Sequence, residues 1–423
     1  MSLCGLDFGT SNSTLAVERE GQAHMVPLEG QETTLPSALF FDFQTDDIHF
    51  GRQAIQHYTQ GHFGRLMRSM KSILGSSQMD EGTQIKTRKY LFSEIIAFFI
   101  ASLKERAEHF AQTPIHQVVL GRPVHFNDYH THLDQEAENR LAAIAKSVGF
   151  TDISFQFEPI AAAYDYEQQC QQEELALIID IGGGTSDFTI IRLGQHLSHK
   201  SDRQQDILAN HGVHIGGTDF DRHFSLASVM DRFGMRVPYK DNPAMEMPKH
   251  FYVDLATWHR IHLLYEAKTL RDLTELKNRM MDKEPIDRLL SLLKQKDGHR
   301  LAGLIEQAKI ELSSQTKTTI DLEFLNRLEW VTDETECPVD QRTLEQAIYQ
   351  DVEKVLATID ETLIQAQIKP EQIQTIFTTG GSTALPMVQK QIRQRFSSTR
   401  QVQGDLFNSV GKGLLLEAQR RYR

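Results

Sequence analysis

The sequence contains two similar hairpin motifs, and this repeat constrains the fold more than any other feature. The first runs from Leu3 to Ser13 (LCGLDFGTSNS) and the second from Leu177 to Asp187 (LIIDIGGGTSD). In each, an apolar run predicts a buried strand, an aspartate stands near its end, and a glycine-containing turn leads into a second strand-forming run. The two aspartates, Asp7 and Asp180, lie 173 positions apart. Such a repeat indicates two related domains that face a shared ligand.

Each turn has the composition of a phosphate-binding loop. Glycine allows backbone N–H groups to approach a polyphosphate where a Cβ atom would block them, and Thr and Ser hydroxyls add neutral donors. A nucleoside triphosphate arrives with Mg²⁺, which keeps several waters, so Asp7 and Asp180 can hold the hydrated ion from two sides. Either segment alone is more often an ordinary type I′ or II′ hairpin. The occurrence of two matching hairpins in one chain favours phosphate binding.

Length and hydropathy indicate a globular protein of more than one domain. The 423 residues exceed one compact core, and such a length predicts about two to four units. The 40% hydrophobic content is ordinary, and the longest unbroken apolar stretch, 95–101, is far too short to span a membrane. Because the first strand is predicted from Ser2 or Leu3, we expect no signal peptide and a cytoplasmic location.

Charge and cysteine content argue against further classes. The formal net charge of −12 argues against nucleic-acid or anionic-membrane partners, since both need clustered Lys and Arg. Only Cys4, Cys170 and Cys337 occur. Three widely spaced cysteines fit neither a disulfide framework nor a zinc knuckle, so we expect buried apolar side chains.

Histidines at a spacing of three occur twice. The pairs are His196 with His199 and His211 with His214, and both lie in polar surroundings. No cysteine or carboxylate completes either pair at the spacing that zinc sites use. We therefore expect no metal site at these positions.

The first half of the chain predicts a layered α/β domain. Four strands, which we interpret as a meander, are predicted at Leu3–Phe8, Thr14–Glu18, Ala23–Pro27 and Ala38–Phe43. An amphipathic helix is predicted from Tyr90 to Ala111. Strands and helices then alternate, with strands at Gln117–Leu120 and Ile153–Phe157 and helices at Leu133–Val148 and Pro159–Gln169.

The pattern restarts in the second half. The hairpin at 176–193 is followed by a third glycine site, IGGTDFD at 215–221, and by a mostly polar, helical stretch at about 222–315 that we interpret as an insertion. A strand at Thr375–Thr379 then leads through GGST (380–383) into a helix from Leu385. Such helix N-termini attract anions.

Together these motifs resemble the ATPase domain of the 70-kilodalton heat-shock chaperones, in the actin, sugar-kinase and chaperone superfamily. The resemblance rests on DFGT (7–10), DIGGGTSD (180–187) and TGGST (379–383) and runs from end to end. GRPV (121–124) and FEPIAAAYDY (157–166) are most similar to the YegD-like branch. The resemblance implies an α/β, two-lobed actin-like ATPase fold, with duplicated ribonuclease-H-like domains, a nucleotide cleft between them and smaller inserted subdomains. The implied lobes are 1–170, with an insertion at about 35–112, and 171–423, with a helical insertion at about 222–305.

The resemblance also implies ATP/ADP and Mg²⁺ as cofactors and gives roles to individual residues. Asp7 and Asp180 would hold Mg²⁺ through its waters, and Lys71 would steady the attacking water and offset charge on the γ-phosphate. Glu158 would help to position the metal waters, and Pro159 would relay the nucleotide state. The implied catalytic residues are Asp7, Lys71, Glu158, Asp180 and Thr185. The implied phosphate-binding residues are Gly9, Thr10, Ser11, Asn12, Gly182, Gly183, Gly184, Thr185, Asp187, Gly216, Gly217, Gly380, Gly381 and Ser382.

The nucleoside pocket is where the sequence departs from the family pattern. Glu306, Lys309 and Ser313 match residues that hold the ribose and adenine. The two arginines that sandwich the purine in the family are replaced by Ile310 and Ala384. Two missing guanidinium stacks, each worth roughly 0.5–2 kcal/mol, predict adenine binding weaker by roughly one to three powers of ten.

The expected function is that of a chaperone-like ATPase, a slow Mg²⁺-dependent hydrolase whose lobes open and close with the nucleotide state. No peptide-binding domain is expected, so a chaperone role would use nucleotide together with a co-chaperone, exchange factor or client protein. A sugar-type kinase is an alternative, but it needs a carboxylate base near a hydroxyl acceptor, and no acid beyond the metal-site set is evident. An actin-like filament protein is another, and it requires self-complementary lobes. The charge of −12 and the polar insertion make filaments the weaker alternative.

Overall fold

The computed structural model describes residues 2–128, 130–198, 200, 202–328, 335–405 and 407–422. Its strands are β1 Ser2–Phe8, β2 Asn12–Arg19, β3 Gln22–Met25, β4 Thr34–Pro36, β5 Ala38–Asp42, β6 Ile48–Phe50, β7 Gly64–Arg68, β8 Gly82–Ile85, β9 Arg88–Leu91, β10 Ile115–Arg122, β11 Asp152–Phe157, β12 Glu174–Ile181, β13 Ser186–Leu193, β14 Ile207–Val213, β15 Lys317–Asp321, β16 Glu336–Asp340, β17 Thr375–Thr379 and β18 Arg400–Gln403. Its α-helices are α1 Gly51–Thr59, α2 Phe92–Ala111, α3 Thr131–Ser147, α4 Glu158–Glu167, α5 Gly217–Ser228, α6 His250–Leu255, α7 Ala267–Arg279, α8 Glu284–Lys294, α9 Gly298–Glu311, α10 Gln341–Ala366, α11 Pro386–Arg395 and α12 Asn408–Tyr422.

Two sheets have the same internal arrangement. The first has the strand order β11-β10-β1-β2-β3, and the second has the order β18-β17-β12-β13-β14. In each sheet the central hairpin is antiparallel, and its first strand pairs in parallel with the strand on its other side. Both central strands consist largely of buried apolar residues, among them Leu3, Leu6 and Phe8 in β1 and 176–179 in β12, as expected where a sheet is covered on both faces. The duplication predicted from the hairpin motifs is therefore confirmed at the level of sheet topology.

The fourth predicted strand belongs to a different sheet from the first three. β1, β2 and β3 form the expected meander, and β4 then pairs with β2. β5 instead lies at the centre of a small antiparallel sheet, between β6 and β7, and all five of its residues are buried. The interpretation of β5 as part of the meander was wrong, because a short run that is buried on both faces does not specify its partner strand.

The start of helix α2 also differs from the prediction. The helix begins at Phe92, and the preceding residues Arg88–Leu91 form β9, which pairs with β8. Glu94 accepts a hydrogen bond from the backbone N–H of Leu91 at 2.8 Å, so it caps the helix start. The apolar face of α2 is buried as predicted, with Ile95, Ile96 and Phe99 inaccessible to solvent.

The chain divides into two compact units. Unit 1 comprises Met1–Gly217, Lys354–Ala384 and Val388–Arg423 and contains both duplicated sheets; unit 2 comprises Thr218–Glu353 and Leu385–Met387. The predicted helical character of the stretch after 222 is confirmed by α5 to α9. In unit 2, Tyr252 is fully buried and its hydroxyl donates to the carbonyl of Phe233 at 3.0 Å. The lobe boundaries at 170 and 171 remain a prediction.

Two further observations bear on the sequence analysis. Cys4, Cys170 and Cys337 are buried free thiols, as predicted. Among the described residues, no helix is both long and apolar enough to cross a membrane.

Candidate functional site

A polar cavity in unit 1 brings together the turns of the two duplicated hairpins. Its lining contains most of the phosphate-site residues that the sequence predicted: Asp7, Gly9, Thr10, Ser11, Asn12, Lys71, Glu158, Asp180, Gly182, Gly183, Gly184, Thr185, Gly380 and Gly381. Three further lining residues, Thr14, Phe407 and Val410, were not predicted. Phe407 and Val410 lie near the start of the last helix and follow no motif, so the sequence offers no signal for them.

The two hairpins present their aspartates in the same register. Asp7 is paired across its ladder with Thr14, and Asp180 is paired with Asp187 seven residues along. The second turn is closed by a 2.9 Å hydrogen bond from the Gly182 N–H to the Thr185 carbonyl. Equal spacing in the two ladders therefore places one carboxylate at the mouth of each turn.

The two turns approach each other closely, and glycine permits this approach. A Cβ atom at Gly184 would lie 2.6 Å from Oγ1 of Thr10, and one at Gly183 would collide with the side chain of Ser11. Real Cβ atoms do not approach other atoms so closely. Residues 183 and 184 must therefore be glycine if the second turn is to lie against the Thr10 and Ser11 side chains of the first. The result is a loop pair lined by backbone on one side and hydroxyls on the other.

The third and fourth glycine sites pack against the second turn. The Gly217 N–H donates to the Gly182 carbonyl at 2.9 Å, and a Cβ atom at Gly216 would lie 2.7 Å from the backbone of Gly183. Ser382 Oγ donates to the same Gly182 carbonyl at 3.3 Å. Gly380 has a φ angle of +81°, a left-handed conformation that favours glycine. Both sites therefore shape the second turn.

A buried ion pair lines the cavity. Lys71, in a short 3₁₀ turn at Met70–Ile73, donates from Nζ to Oε1 of Glu158, which opens helix α4. The two side chains are 6% and 10% exposed, so this is a desolvated pair. Burial alone would lower the pKa of Lys71, but the carboxylates of Glu158 and Asp7 outweigh burial and raise the pKa. The ammonium therefore stays charged beside the two turns.

The aspartates of the site hold their protons unusually tightly. Burial, reinforced by the Glu158 carboxylate, raises the pKa of Asp7 to about 7 and that of Asp187 to about 7. The pKa of Asp180 is raised well above its ordinary value by burial and by the carboxylates of Glu158, Asp187 and Asp7. Asp187 also accepts a hydrogen bond from the Val124 N–H at 2.7 Å. This concentration of carboxylates exceeds what Lys71 alone can neutralise.

The donor set fits a hard divalent cation. Oδ1 of Asp7 is buried without a hydrogen-bond partner in the described part of the chain. A buried, unsatisfied carboxylate oxygen is costly unless a cation or water meets it. Oxygen ligands of this kind suit Mg²⁺, and Asp7 and Asp180 are the residues that would hold it.

The predicted nucleoside residues lie in unit 2. Glu306, Lys309 and Ser313 fall on or just after helix α9, and the Ser313 hydroxyl donates to the Lys309 carbonyl at 3.4 Å. Lys309 is largely buried and forms an ion pair with Asp221, with Nζ 2.7 Å from Oδ1, a partner that the sequence analysis did not identify. Ile310 is 53% exposed on the same helix. The part of these residues in a nucleoside pocket stays a prediction.

The repeated sheet, the paired glycine turns and the carboxylate cluster define an α/β protein of the actin-like fold class. Comparison with known families agrees with this class. The family model described as "Hsp70 protein" matches residues 3–236 and 276–412. The chain therefore belongs to the Hsp70 family, and the fold class that the sequence predicted is confirmed.

Two curated relatives illustrate the similarity. The chain is 28% identical over 415 residues to "Chaperone protein DnaK" of Thermosipho africanus (strain TCF52B). The aligned region covers 97% of this chain and 58% of that protein. It is also 28% identical over 417 residues to "Chaperone protein DnaK" of Thermosipho melanesiensis (strain DSM 12029 / CIP 104789 / BI429). That alignment covers 98% of this chain and 58% of that protein. The chain thus spans somewhat more than half the length of these relatives.

Proposed function

We propose that this chain binds ATP with Mg²⁺ at the cavity between the two hairpin turns and hydrolyses it slowly to ADP and phosphate. The observation that carries the proposal is the buried Lys71–Glu158 pair, which lies beside the two aspartate-bearing turns. A charged lysine held in a desolvated site is suited to stabilising charge that develops on a phosphoryl group. Membership of the Hsp70 family supports the same activity.

The side chains divide the work of binding and hydrolysis. Backbone N–H groups of Gly182, Gly183 and Gly184, with the hydroxyls of Thr10 and Ser11, would bind the phosphates. Asp7 and Asp180 would hold Mg²⁺, which neutralises charge on the phosphate oxygens when bound. Lys71 would orient the attacking water and offset charge on the equatorial oxygens. Glu158 would hold Lys71 in place and order water near the metal.

The biological role that we propose is a chaperone-like one. The nucleotide state would be passed to a partner, either a co-chaperone, an exchange factor or a client protein, by movement of the two lobes. Pro159, which follows Glu158 in the first turn of α4, is the residue expected to relay that state. A cytoplasmic location and the YegD-like branch of the family remain predictions.

Base recognition is expected to be weak. Ile310 is exposed and Ala384 has no side chain that could stack on a purine. We therefore propose that affinity comes mainly from the phosphates and Mg²⁺, with Glu306, Lys309 and Ser313 contributing to the nucleoside. ATP and GTP should then differ in affinity by less than about tenfold, which corresponds to 1.4 kcal/mol.

The first experiment is phosphate release from Mg·ATP by the purified chain and by Lys71→Ala, with no sugar or peptide added. We expect slow release by the wild type and a decrease of roughly 100-fold or more in the variant, the usual effect of removing one charge-stabilising donor. ATP affinity, measured by calorimetry, should fall less than tenfold. Lys146→Ala on the exposed face of α3 is the matched control and should behave as wild type.

Two outcomes would contradict the proposal. Equal release by the wild type and Lys71→Ala would remove Lys71 from catalysis. ATP binding without release by the wild type would exclude hydrolysis and favour a nucleotide sensor or a kinase that requires its acceptor. Because Lys71→Ala leaves Glu158 buried and unpaired, the double variant Lys71→Met with Glu158→Gln distinguishes loss of chemistry from loss of folding.

A further inference from the structure

A second cluster of ligand-type side chains lies in unit 1, on the small sheet formed by β5, β6 and β7. Asp42 ends β5, His57 lies in the last turn of α1, and His62 lies in the loop that follows this helix. One carboxylate oxygen and one nitrogen from each imidazole all lie within 4.8 Å of one another. None of these residues contributes to the nucleotide cavity described above.

The distances within the cluster converge on one carboxylate oxygen. Oδ2 of Asp42 is 3.4 Å from Nδ1 of His62 and 3.8 Å from Nδ1 of His57. The rings of His57 and His62 have centroids 4.5 Å apart. A separation of 3.8 Å is too long for a hydrogen bond, so His57 and Asp42 face each other without forming one.

Asp42 is fixed in the orientation that this cluster requires. Its other oxygen, Oδ1, accepts hydrogen bonds from the backbone N–H groups of Gln44 at 2.8 Å and Thr45 at 3.3 Å. Its side chain is only 1% exposed. The carboxylate is therefore buried and held by its backbone contacts with Oδ2 facing the two imidazoles.

Two imidazole nitrogens at this place are buried and lack a hydrogen-bond partner within the described residues. They are Nδ1 of His57 and Nε2 of His49. The His49 ring stacks on the His57 ring, with centroids 3.7 Å apart and an interplanar angle of 18°. An imidazole with a buried, unsatisfied nitrogen is a ready metal ligand.

We propose that Asp42 Oδ2, His57 Nδ1 and His62 Nδ1 bind a divalent transition-metal ion of the zinc type. Two imidazoles and a carboxylate suit such ions, and a water would complete the coordination. In a tetrahedral site with bonds of about 2.0–2.1 Å, ligand atoms are about 3.4 Å apart. The Asp42–His62 separation already matches this value. The Asp42–His57 separation must shorten by about 0.4 Å, and the partly exposed His62 ring can rotate to adjust.

The bound ion would connect three elements around the small sheet of β5, β6 and β7. It would connect the end of β5 and the last turn of α1 to the loop that carries His62. The site is independent of nucleotide binding, so neither the proposed ATPase activity nor its failure bears on it. Binding to the folded state alone would stabilise the protein in proportion to the logarithm of the free metal concentration.

The test uses the full chain after treatment with a chelator and removal of the chelator. Zn²⁺ alone is added without nucleotide and binding is measured by calorimetry, and Co²⁺ is added in parallel to record its visible absorption. We expect one high-affinity Zn²⁺ per chain with Kd in the micromolar range or tighter, and Co²⁺ bands typical of tetrahedral coordination. His62→Ala should weaken Zn²⁺ binding at least tenfold and remove the bands.

Two further variants keep the test sharp. Asp42→Asn retains Oδ1 as an acceptor for Gln44 and Thr45, so it should fold and yet bind Zn²⁺ at least tenfold more weakly. The double variant His130→Ala with His132→Ala removes an exposed histidine pair whose ring centroids are 5.6 Å apart. This control should bind Zn²⁺ as the wild type does. Zn²⁺ affinity weaker than millimolar in the wild type, or equal affinity in wild type and His62→Ala, would overturn the proposal.

Discussion

The two duplicated hairpins share their geometry and differ in their side chains. Each has the same spacing from its aspartate to the paired position, Asp7 with Thr14 and Asp180 with Asp187. The residue that precedes the paired position is a fully buried serine in both. The turns themselves read GTSN at 9–12 and GGGT at 182–185. The two hairpins therefore share the same strand register, but their turns carry different side chains.

Two identical turns could not lie this close together, so the side chains of the two turns differ. Ser11 and Thr10 occupy the space that Cβ atoms at Gly183 and Gly184 would need. Two turns that both carried side chains would collide, and two turns of glycine alone would lack hydroxyl donors. One turn therefore supplies backbone and the other supplies side chains. The two turns can lie this close together only because their side chains differ.

The contact between Gly183 and Ser11 is the strongest test of this complementarity. Gly183→Ser should lower the affinity for Mg·ATP by roughly 100-fold, about 2.7 kcal/mol, because its Cβ would push the two turns apart. The exchange variant, Gly183→Ser with Ser11→Gly, should recover at least tenfold of that loss. Calorimetric titration with Mg·ATP measures both, and circular dichroism checks folding. Unchanged affinity in Gly183→Ser would mean that the turns do not need to touch.

An intermediate effect concerns the unequal aspartates. Asp180 faces three carboxylates and has the more strongly raised pKa, so Asp180→Asn should stabilise the metal-free, nucleotide-free protein by about 1–3 kcal/mol at pH 8. The raised pKa means that Asp180 lowers the free energy of unfolding whenever it is ionised in the unfolded state. This cost is absent at low pH, where Asp180 is protonated in both the folded and the unfolded state, and it grows as the pH rises above the ordinary pKa of an aspartate. The gain should therefore be smaller at pH 5.

Thermal unfolding at the two pH values measures this difference, and Asp7→Asn is the matched variant in the other hairpin. The pKa of Asp7 is raised only to about 7, so its stabilisation should be the smaller of the two. Equal stabilisation by both variants would show that the hairpins are electrostatically equivalent. A loss of stability in Asp180→Asn at pH 8 would show that the Asp180 carboxyl does not destabilise the folded protein.

The smallest effect is expected at Thr14, which occupies the position of Asp187 in the first hairpin. Its hydroxyl oxygen is buried and has no hydrogen-bond partner in the part of the chain that is described. Thr14→Val should change the free energy of unfolding by less than about 0.5 kcal/mol. Ser186→Ala is the positive control, because it removes a 2.7 Å hydrogen bond to the Ile215 carbonyl and should cost about 1 kcal/mol. Urea unfolding without nucleotide compares them, and a large loss in Thr14→Val would reveal a contact at that hydroxyl.

The parts of the fold that the sequence predicted are those with long apolar strands. β12 and β13 were predicted as a hairpin, and β17 was predicted with its observed ends. Many of the errors fell on short strands, although β14, with seven residues, and helix α10 were also not predicted. β4 has three residues and was missed, and β9 was taken for the start of a helix. Three or four residues do not establish a period, so their partner strands decide their structure.

Within the candidate nucleotide site, too, some residues could be predicted from local sequence and others could not. The glycine turns are contiguous in sequence and carry their own signal, whereas Lys71 and Glu158 are 87 positions apart and were connected only through the family resemblance. The Asp42, His57 and His62 cluster gave no signal, since its spacing is not that of a common zinc motif. The histidines that do stand at a regular spacing are the pairs His196 with His199 and His211 with His214, and His199 lies outside the described residues.

The packing of the last helix on the first strand sets an order of events during synthesis. Gly5 in β1 lies so close to the backbone of Leu415 in α12 that no Cβ atom would fit between them, and Gln419 donates to Glu18 at 2.9 Å across 401 positions. Residues up to Gln419 must therefore have left the ribosome before this face of β1 can be covered. Until then, this apolar face of the nascent protein stays exposed, and contacts this distant in sequence form late. A protein of a chaperone family thus passes through a stage in which it resembles the unfolded chains that chaperones protect.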